Sequence, residues 1–203
     1  MKTNAKPTAA AVKPAAKPAA KKVEKKKDPA YVVTPKFRAC FANVFEARAF
    51  EDGGTPKFGV TMLFDEGTDL SALEEAVEAA IEKKWGEKRP KNLRSPFRDA
   101  GEKSEKYEAF VEGMTFMNAT SLYQPGLVDE KRQLIMERSQ FYSGCYARAS
   151  IVAYAYDTAG NRGVAFALNN LQKVADGETL GNQRKPEEDF DAIDDESVED
   201  EQE

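Results

Sequence analysis

The residues of this chain best suited to chemistry are rings and cations set at strand spacing in residues 142–157, YSGCYARASIVAYAYD. The segment alternates strictly between two kinds of side chain, and alternate side chains of a β-strand point to opposite faces. One face is small and apolar: Cys145, Ala147, Ala149, Ile151, Ala153 and Ala155. The other carries rings and a cation: Tyr146, Arg148, Ser150, Val152, Tyr154 and Tyr156. Rings that stack on bases, with a guanidinium for the intervening phosphate, suit sequence-independent binding of single-stranded nucleic acid.

Four members of the second face are the leading candidates for nucleic-acid binding: Tyr146, Arg148, Tyr154 and Tyr156. Four residues from earlier segments complete the candidate set: Arg38, Lys57, Phe116 and Tyr123. The two cations belong to a predicted hairpin, where they could line the same groove, and the two rings are weaker candidates. Packing is the alternative for every tyrosine of the face, because an aromatic strand face can also be buried under a helix.

Histidine is absent from the chain, which excludes Ser/His and Cys/His nucleophile systems, histidine bases and histidine-containing zinc sites. Cys40 and Cys145 lack metal-ligand spacing, so two buried free thiols are favoured over a disulfide and suit a reducing cytosol. Asp99, Glu102 and Glu105 are close in sequence, but a solvated loop explains them, and there is no GxxxxGK[ST] phosphate loop. We therefore predict a protein that is not an enzyme and has no metal or cofactor.

The two ends of the chain carry opposite charge. Residues 1–27 hold nine Lys and one Glu among Ala and Pro, whereas residues 187–203 hold eleven acidic residues and no basic one. Neither composition offers an apolar face that would repay the entropy of ordering, so both ends are predicted to be disordered. The predicted organisation is a basic arm at 1–30, a folded domain at 31–186 and an acidic tail at 187–203. The arm would attract phosphates and the tail would compete with nucleic acid, although either end could simply aid solubility.

Hydrophobic periodicity outlines the folded domain. Strands are predicted at 36–43, 57–64, 114–120, 142–157 and 163–173. Phe37, Ala39 and Phe41 are predicted to face inward on the first of them. The polar stretch 87–112 is predicted to be a mobile basic loop.

One helix is predicted over residues 70–85. Its apolar residues fall on a single stripe: Leu70, Leu73, Val77, Ile81 and Trp85. Trp85 is interpreted as a core residue rather than a stacking platform. Several strands, one principal helix and a long final hairpin predict a mainly β fold of the α+β class, an OB-type β-barrel.

Several stretches are also similar to a known family. FRACFANVFEARAF, SPFRDAGE, GMTFMNATS and above all YSGCYARASIVAYAYDTAGNRGVAFALNNLQKVADGE resemble phage-encoded single-stranded DNA-binding proteins, long catalogued as a domain of unknown function. The similarity extends over most of residues 36–190. It implies an OB barrel that coats unwound DNA and ends in an acidic tail, as in the replication single-strand binders of T-odd phages. The groove it implies is consistent with Tyr146, Arg148 and Tyr154.

No segment has the composition of a targeting or membrane-spanning element. The basic N-terminus lacks the apolar run of a signal peptide, and no later stretch approaches the length of a transmembrane helix. We therefore expect no membrane partner and a soluble protein in the cytoplasm, that of a bacterial host if the protein is phage-encoded.

These observations predict sequence-independent binding of single-stranded DNA in phage DNA replication or recombination, with replication proteins as partners of the acidic tail. Self-association stays open, because edge strands of an open barrel can pair between subunits. One alternative is a structural or interaction protein of a virion or chaperone-like kind. The other is a metal-dependent recombination nuclease that uses Asp99 or Glu102.

Overall fold

The computed structural model describes residues 28–49 and 53–180. The predicted acidic tail and the basic arm up to residue 27 lie outside the described residues. The strands are β1 (Tyr31–Val33), β2 (Phe37–Arg48), β3 (Lys57–Phe64), β4 (Arg98–Asp99), β5 (Thr115–Ser121), β6 (Gly126–Val128), β7 (Tyr146–Thr158) and β8 (Asn161–Ala175), and the α-helix is α1 (Ser71–Trp85). The long strands and the helix lie within a few residues of their predicted positions. The short strands β1, β4 and β6 are not signalled by the sequence pattern.

Five strands close into a barrel. β2 pairs with β3, β3 with β5, β5 with β8, β8 with β7, and β7 returns to β2. All of these pairings are antiparallel except that of β5 with β8. This arrangement, with one principal helix, is an OB-type barrel and confirms the predicted fold class. β1 and β6 extend the sheet at its two ends, and β4 pairs with β5.

β7 closes the barrel by pairing with β2 and with β8, and its inward side chains are small. Cys145, Ala147, Ala149 and Ile151 are at most 1% exposed. Small side chains let the walls of a barrel approach closely. The alternating residues are exposed or half-buried: Tyr146, Arg148, Ser150, Val152, Tyr154 and Tyr156. The predicted alternation of this strand is confirmed.

The inward face of β2 changes at a β-bulge around Phe41. Phe37 and Ala39 are buried as predicted, but Phe41 is 39% exposed and has a φ of 48°. The register of β2 against β3 shifts after Cys40, and the next fully buried residue is Val44. An extra residue in one strand moves the following side chains to the other face. The prediction that Phe41 faces inward is therefore wrong.

Helix α1 packs against β7, β1 and β8. The buried residues of its predicted stripe are Leu73, Val77 and Ile81. Asp69 Oδ1 accepts the Ser71 N–H at 3.0 Å just ahead of the first turn. Trp85 is partly buried against the same core, as the core interpretation predicts. Across the described ranges, no helix is long and apolar enough to cross a membrane.

The stretch 98–114 forms a second layer on the outside of the barrel. Ala100 and Phe110 are 0% and 2% exposed. They pack with Cys40, Leu63 and Phe116 in an apolar cluster separate from the barrel core, here called the outer cluster. The prediction of a mobile loop is wrong for this part of 87–112, because apolar side chains that point outward from β3 and β5 need a cover.

Both cysteines are free and buried, as predicted. Burial raises the pKa of the Cys40 thiol to about 11, and it also raises the pKa of Cys145. Thiols that stay protonated in this way are poor nucleophiles. They act as small apolar residues, Cys40 in the outer cluster and Cys145 in the barrel core.

Replacing Ala149 by Leu should destabilise the protein, because the inward face of β7 has no room for a larger side chain. Overpacking of a close-packed core costs about 1 to 3 kcal/mol. The matched control places the same leucine at the adjacent exposed position, Arg148→Leu, and should change the free energy of unfolding by less than about 0.5 kcal/mol. Urea denaturation followed by tryptophan fluorescence measures both. Equal destabilisation by the two variants would contradict the assigned alternation.

Candidate nucleic-acid interface

A row of outward side chains crosses the barrel wall from strand to strand. Arg38 of β2 is paired with Tyr146 of β7 on one side and with Leu63 of β3 on the other. Leu63 is paired with Phe116 of β5, and Phe116 with Arg98 of β4. Directly paired residues share a face of the sheet. The row therefore joins the predicted face of β7 to the outer cluster.

The Tyr146 end of this row is rich in positive charge. Lys36 Nζ lies 5.0 Å from the centroid of the half-buried Tyr146 ring. The Arg38 guanidinium donates to the Glu178 carbonyl oxygen at 3.1 Å. Its Nε is buried and has no hydrogen-bond partner among the described residues. A ring with two neighbouring cations offers the stacking and phosphate contacts that an unpaired nucleotide can use.

Arg148 is the next charged residue along the outward face of β7. It is exposed, and its guanidinium donates to the Gln172 amide oxygen at 2.9 Å. A neutral partner orients the side chain without cancelling its charge. Arg162 differs, since its Nε lies 2.9 Å from a carboxylate oxygen of Asp157. Arg148 therefore keeps a charge that a phosphate can neutralise.

The far end of β7 carries a second group of rings. Tyr154 is 44% exposed and Tyr31 of β1 is 38% exposed, while Tyr156 is half-buried. Burial raises the pKa of Tyr154, and the neighbouring Tyr156 raises it further, so Tyr154 is neutral at physiological pH. At a strand rise of about 3.3 Å per residue, Tyr154 lies about 26 Å from Tyr146. The tyrosines of the predicted face thus form two groups rather than one.

Lys57 and Tyr123 lie together in a different place. Lys57 opens β3 opposite Arg48, and Tyr123 follows β5 with 82% of its surface exposed. The ends of β3 and β5 are paired there. Leu63, in the row described above, is six residues along β3 from Lys57, or about 20 Å away. The structure therefore does not bring these two candidates to the Tyr146 end of the interface.

Phe116 is fully buried, so its selection as a stacking residue is wrong. The Phe110 ring covers it, with centroids 5.5 Å apart. Lys103 Nζ lies 4.7 Å from its centroid and the Arg98 guanidinium carbon 5.0 Å from it. Phe116 is thus the buried base of the outer cluster, and Lys103 and Arg98, which pack over its ring, lie between it and solvent.

Lys103 is the central cation of the outer cluster. Its Nζ lies 5.1 Å from the Phe41 centroid and 5.3 Å from the Phe110 centroid. Burial lowers the pKa of Lys103, and the nearby Arg98 lowers it further. Arg98 itself is ion-paired with Glu102. Lys103 is thus a half-buried cation held against several rings.

Segment 176–180 crosses this face on its way to the C-terminus. The Gly177 N–H donates to the Tyr142 hydroxyl at 3.3 Å, and Leu180 packs on the outer cluster. Only glycine fits at Gly144 and Gly177, because a Cβ on either residue would collide with the backbone of the other segment. The chain therefore leaves the described structure beside Arg38 and the outer cluster.

Sequence reasoning missed Lys36, the bulged Phe41 and the ring of Tyr107 as parts of this surface. The sequence held one indication of this surface. Leu63 and Phe116 are apolar at outward positions of their strands, which indicates that a further layer must cover them. That layer places Lys103, a member of the predicted basic stretch, against the barrel.

A closed five-stranded barrel whose outer wall carries rings beside cations is typical of oligonucleotide-binding proteins. The family model described as Enterobacter phage Enc34, ssDNA-binding protein, matches residues 30–202. The chain belongs to this family of phage single-stranded DNA-binding proteins. The resemblance seen in its sequence is confirmed.

Individual proteins are also similar to this chain. Putative protein p50 of Acyrthosiphon pisum secondary endosymbiont phage 1 is 27% identical over 155 residues, covering 70% of this chain and 82% of that protein. The solved structure of the bacteriophage Enc34 single-stranded DNA-binding protein in complex with ssDNA matches with a TM-score of 0.63 at 18% identity, over 75% of this chain and 90% of that one. A second structure of the Enc34 protein matches with a TM-score of 0.62 at 16% identity, over 79% and 89%. At these identities the structural similarity establishes the shared barrel fold.

Proposed function

We propose that this protein binds single-stranded DNA without sequence preference, in phage DNA replication or recombination. Its membership of a phage single-stranded DNA-binding family supports the proposal, as does the Enc34 protein's structure in complex with ssDNA. The observation that carries it is the outward row in which Tyr146 is paired with Arg38 and lies under Lys36, with Arg148 next along β7.

In this proposal, bases stack on Tyr146 at one end of β7 and on Tyr154 and Tyr156 at the other, while Arg38 and Arg148 hold phosphates. Each stacked base contributes about 1 to 3 kcal/mol. Phosphate contacts add an electrostatic contribution that weakens as salt rises. Neither contact reads the edge of a base, so the sequence of the strand matters little. A longer strand that follows β3 would also meet Lys57 and Tyr123.

The proposed activity is binding without turnover. Asp99 accepts the Gly101 N–H at 2.6 Å, and Glu102 is ion-paired with Arg98. The two carboxylates named for the nuclease alternative are therefore engaged in local contacts. The virion or chaperone-like alternative would be favoured by a protein that neither carries nor binds nucleic acid after purification.

The acidic tail would regulate the same face. Leu180 packs on the outer cluster and the Glu178 carbonyl accepts from Arg38, so the chain approaches the tail beside the proposed interface. The eleven carboxylates of residues 187–203 would compete with phosphates for its cations. DNA that displaces the tail would free it to dock replication proteins, while the basic arm would assist capture of the strand.

Binding should favour unpaired DNA over duplex, because rings stack only on exposed base faces. Fluorescence anisotropy with labelled oligo(dT) and a matching duplex tests this at about 50 and about 200 mM salt. With the two phosphates held by Arg38 and Arg148 neutralised on a single strand, affinity should fall about sevenfold between the two conditions. Equal affinity for both DNAs, or none for either, would refute the proposed function. The oligonucleotide should also remain intact with Mg²⁺, whereas cleavage would favour a nuclease.

Arg148→Ala should weaken binding of oligo(dT) and reduce the slope of log affinity against log salt by about 0.7, the value of one phosphate contact on a single strand. Arg162→Ala is the matched control, since Arg162 lies on the same hairpin but is ion-paired with Asp157. Anisotropy titrations at several salt concentrations give both slopes. Identical slopes for Arg148→Ala, Arg162→Ala and the unaltered protein would remove Arg148 from the interface.

A chain that ends at Pro186 should bind oligo(dT) more tightly than the full chain at low salt, because the competing carboxylates are gone. The difference should shrink as salt rises and screens the tail from the cations. A full-length variant with the acidic residues of 187–203 changed to Asn and Gln separates charge from length and should behave like the truncation. Unchanged affinity for both variants would exclude competition by the tail.

A further inference from the structure

Two rings that contact Phe110 of the outer cluster stay open to solvent. Phe41 is 39% exposed and Tyr107 is 42% exposed. Their centroids lie 4.9 Å apart, with ring planes at 77°. Phe110, which is 2% exposed, contacts both rings with centroids 6.0 Å from Phe41 and 5.8 Å from Tyr107. The exposed pair is therefore supported by a packed ring.

Phe41 reaches this position through an unfavourable backbone conformation. Its φ of 48° lies in the left-handed region, which a bulky side chain rarely adopts. The β-bulge turns the ring away from the barrel core, where Phe37 and Ala39 are buried. A ring selected for packing alone would gain more from full burial on that side. Conformations of this kind persist where the surrounding structure holds them, and they concentrate at binding sites.

A cation accompanies the exposed pair. Lys103 Nζ lies 5.1 Å from the Phe41 centroid, and the neighbouring acid, Glu102, is ion-paired with Arg98. Phe41 belongs to the same strand as Arg38, and Cys40 between them packs in the outer cluster. The exposed pair is thus continuous with the Arg38 end of the proposed interface.

We propose that Phe41 and Tyr107 form a stacking site for a base of single-stranded DNA, with Lys103 as the contact for an adjacent phosphate. The inference rests on the proposed function and adds a further stacking position, across Arg38 from Tyr146. Rings beside a cation match a base and its phosphate together. An apolar protein partner would gain from the rings but would have to desolvate the cation.

Leucine substitutions test the site, because they keep apolar volume and remove the flat ring. Phe41→Leu and Tyr107→Leu should each weaken oligo(dT) binding by about 5- to 150-fold, the range expected for loss of one stacked base. Phe41→Tyr and Tyr107→Phe keep the ring and should bind within about twofold of the unaltered protein. Anisotropy gives the affinities, and thermal unfolding by circular dichroism checks that each variant is folded.

Phe41→Trp gives a second measurement that does not depend on the leucine variants. Quenching of the added tryptophan by oligo(dT), beyond the signal of Trp85 in the unaltered protein, would support stacking. Binding without added quenching, or leucine variants that are folded and bind normally, would overturn the site and leave the proposed function intact. Failure of the unaltered protein to bind oligo(dT) would overturn both.

Discussion

Closure of the barrel through β7 is the constraint on which the other features depend. This strand pairs with β1 and β2 along one edge and with β8 along the other. Its alanines lie opposite large inward rings, Ala147 against Phe37 and Ala153 against Phe166. Small residues beside large ones fill the interior at native density without strain. Because the inward positions are committed to packing, the tyrosines and Arg148 can only face outward.

The parts of the fold that sequence predicts well are those in which one residue type marks each face. The alternation of β7 and the apolar stripe of α1 are local patterns, so the buried face of each element can be predicted from its own residues. The bulge of β2 was missed because Phe37, Ala39 and Phe41 keep the same spacing in the sequence. The change of face shows at Val44, an even-numbered residue of β2 that is buried in the barrel core.

The candidate site was predictable to the same extent. Arg38, Tyr146 and Arg148 follow from strand alternation, but their adjacency depends on the pairing of β2 with β7, which no local pattern specifies. Phe116 was misassigned because an outward ring in a strand normally faces solvent, whereas here residues 98–114 cover it. The apolar residues of that cover follow no helix or strand period, since they pack on the side chains of distant strands. Hydrophobic periodicity cannot predict tertiary contacts of this kind between distant segments.

The positive charge of the proposed interface depends on whether its arginines are paired with carboxylates. The domain is close to neutral overall, yet Arg38 and Arg148 donate to a carbonyl and an amide rather than to acids. In the proposed function, the acids that compete for these two cations are those of the tail. Six residues, 181–186, separate Leu180 from the first of these carboxylates and limit it to within about 25 Å of the outer cluster. If the segment acts as a short flexible tether in the proposed competition, the effective concentration of the tail would be on the order of millimolar. Under the proposed competition, weak individual contacts would then suffice for the tail, and a DNA strand with many phosphates would still displace it.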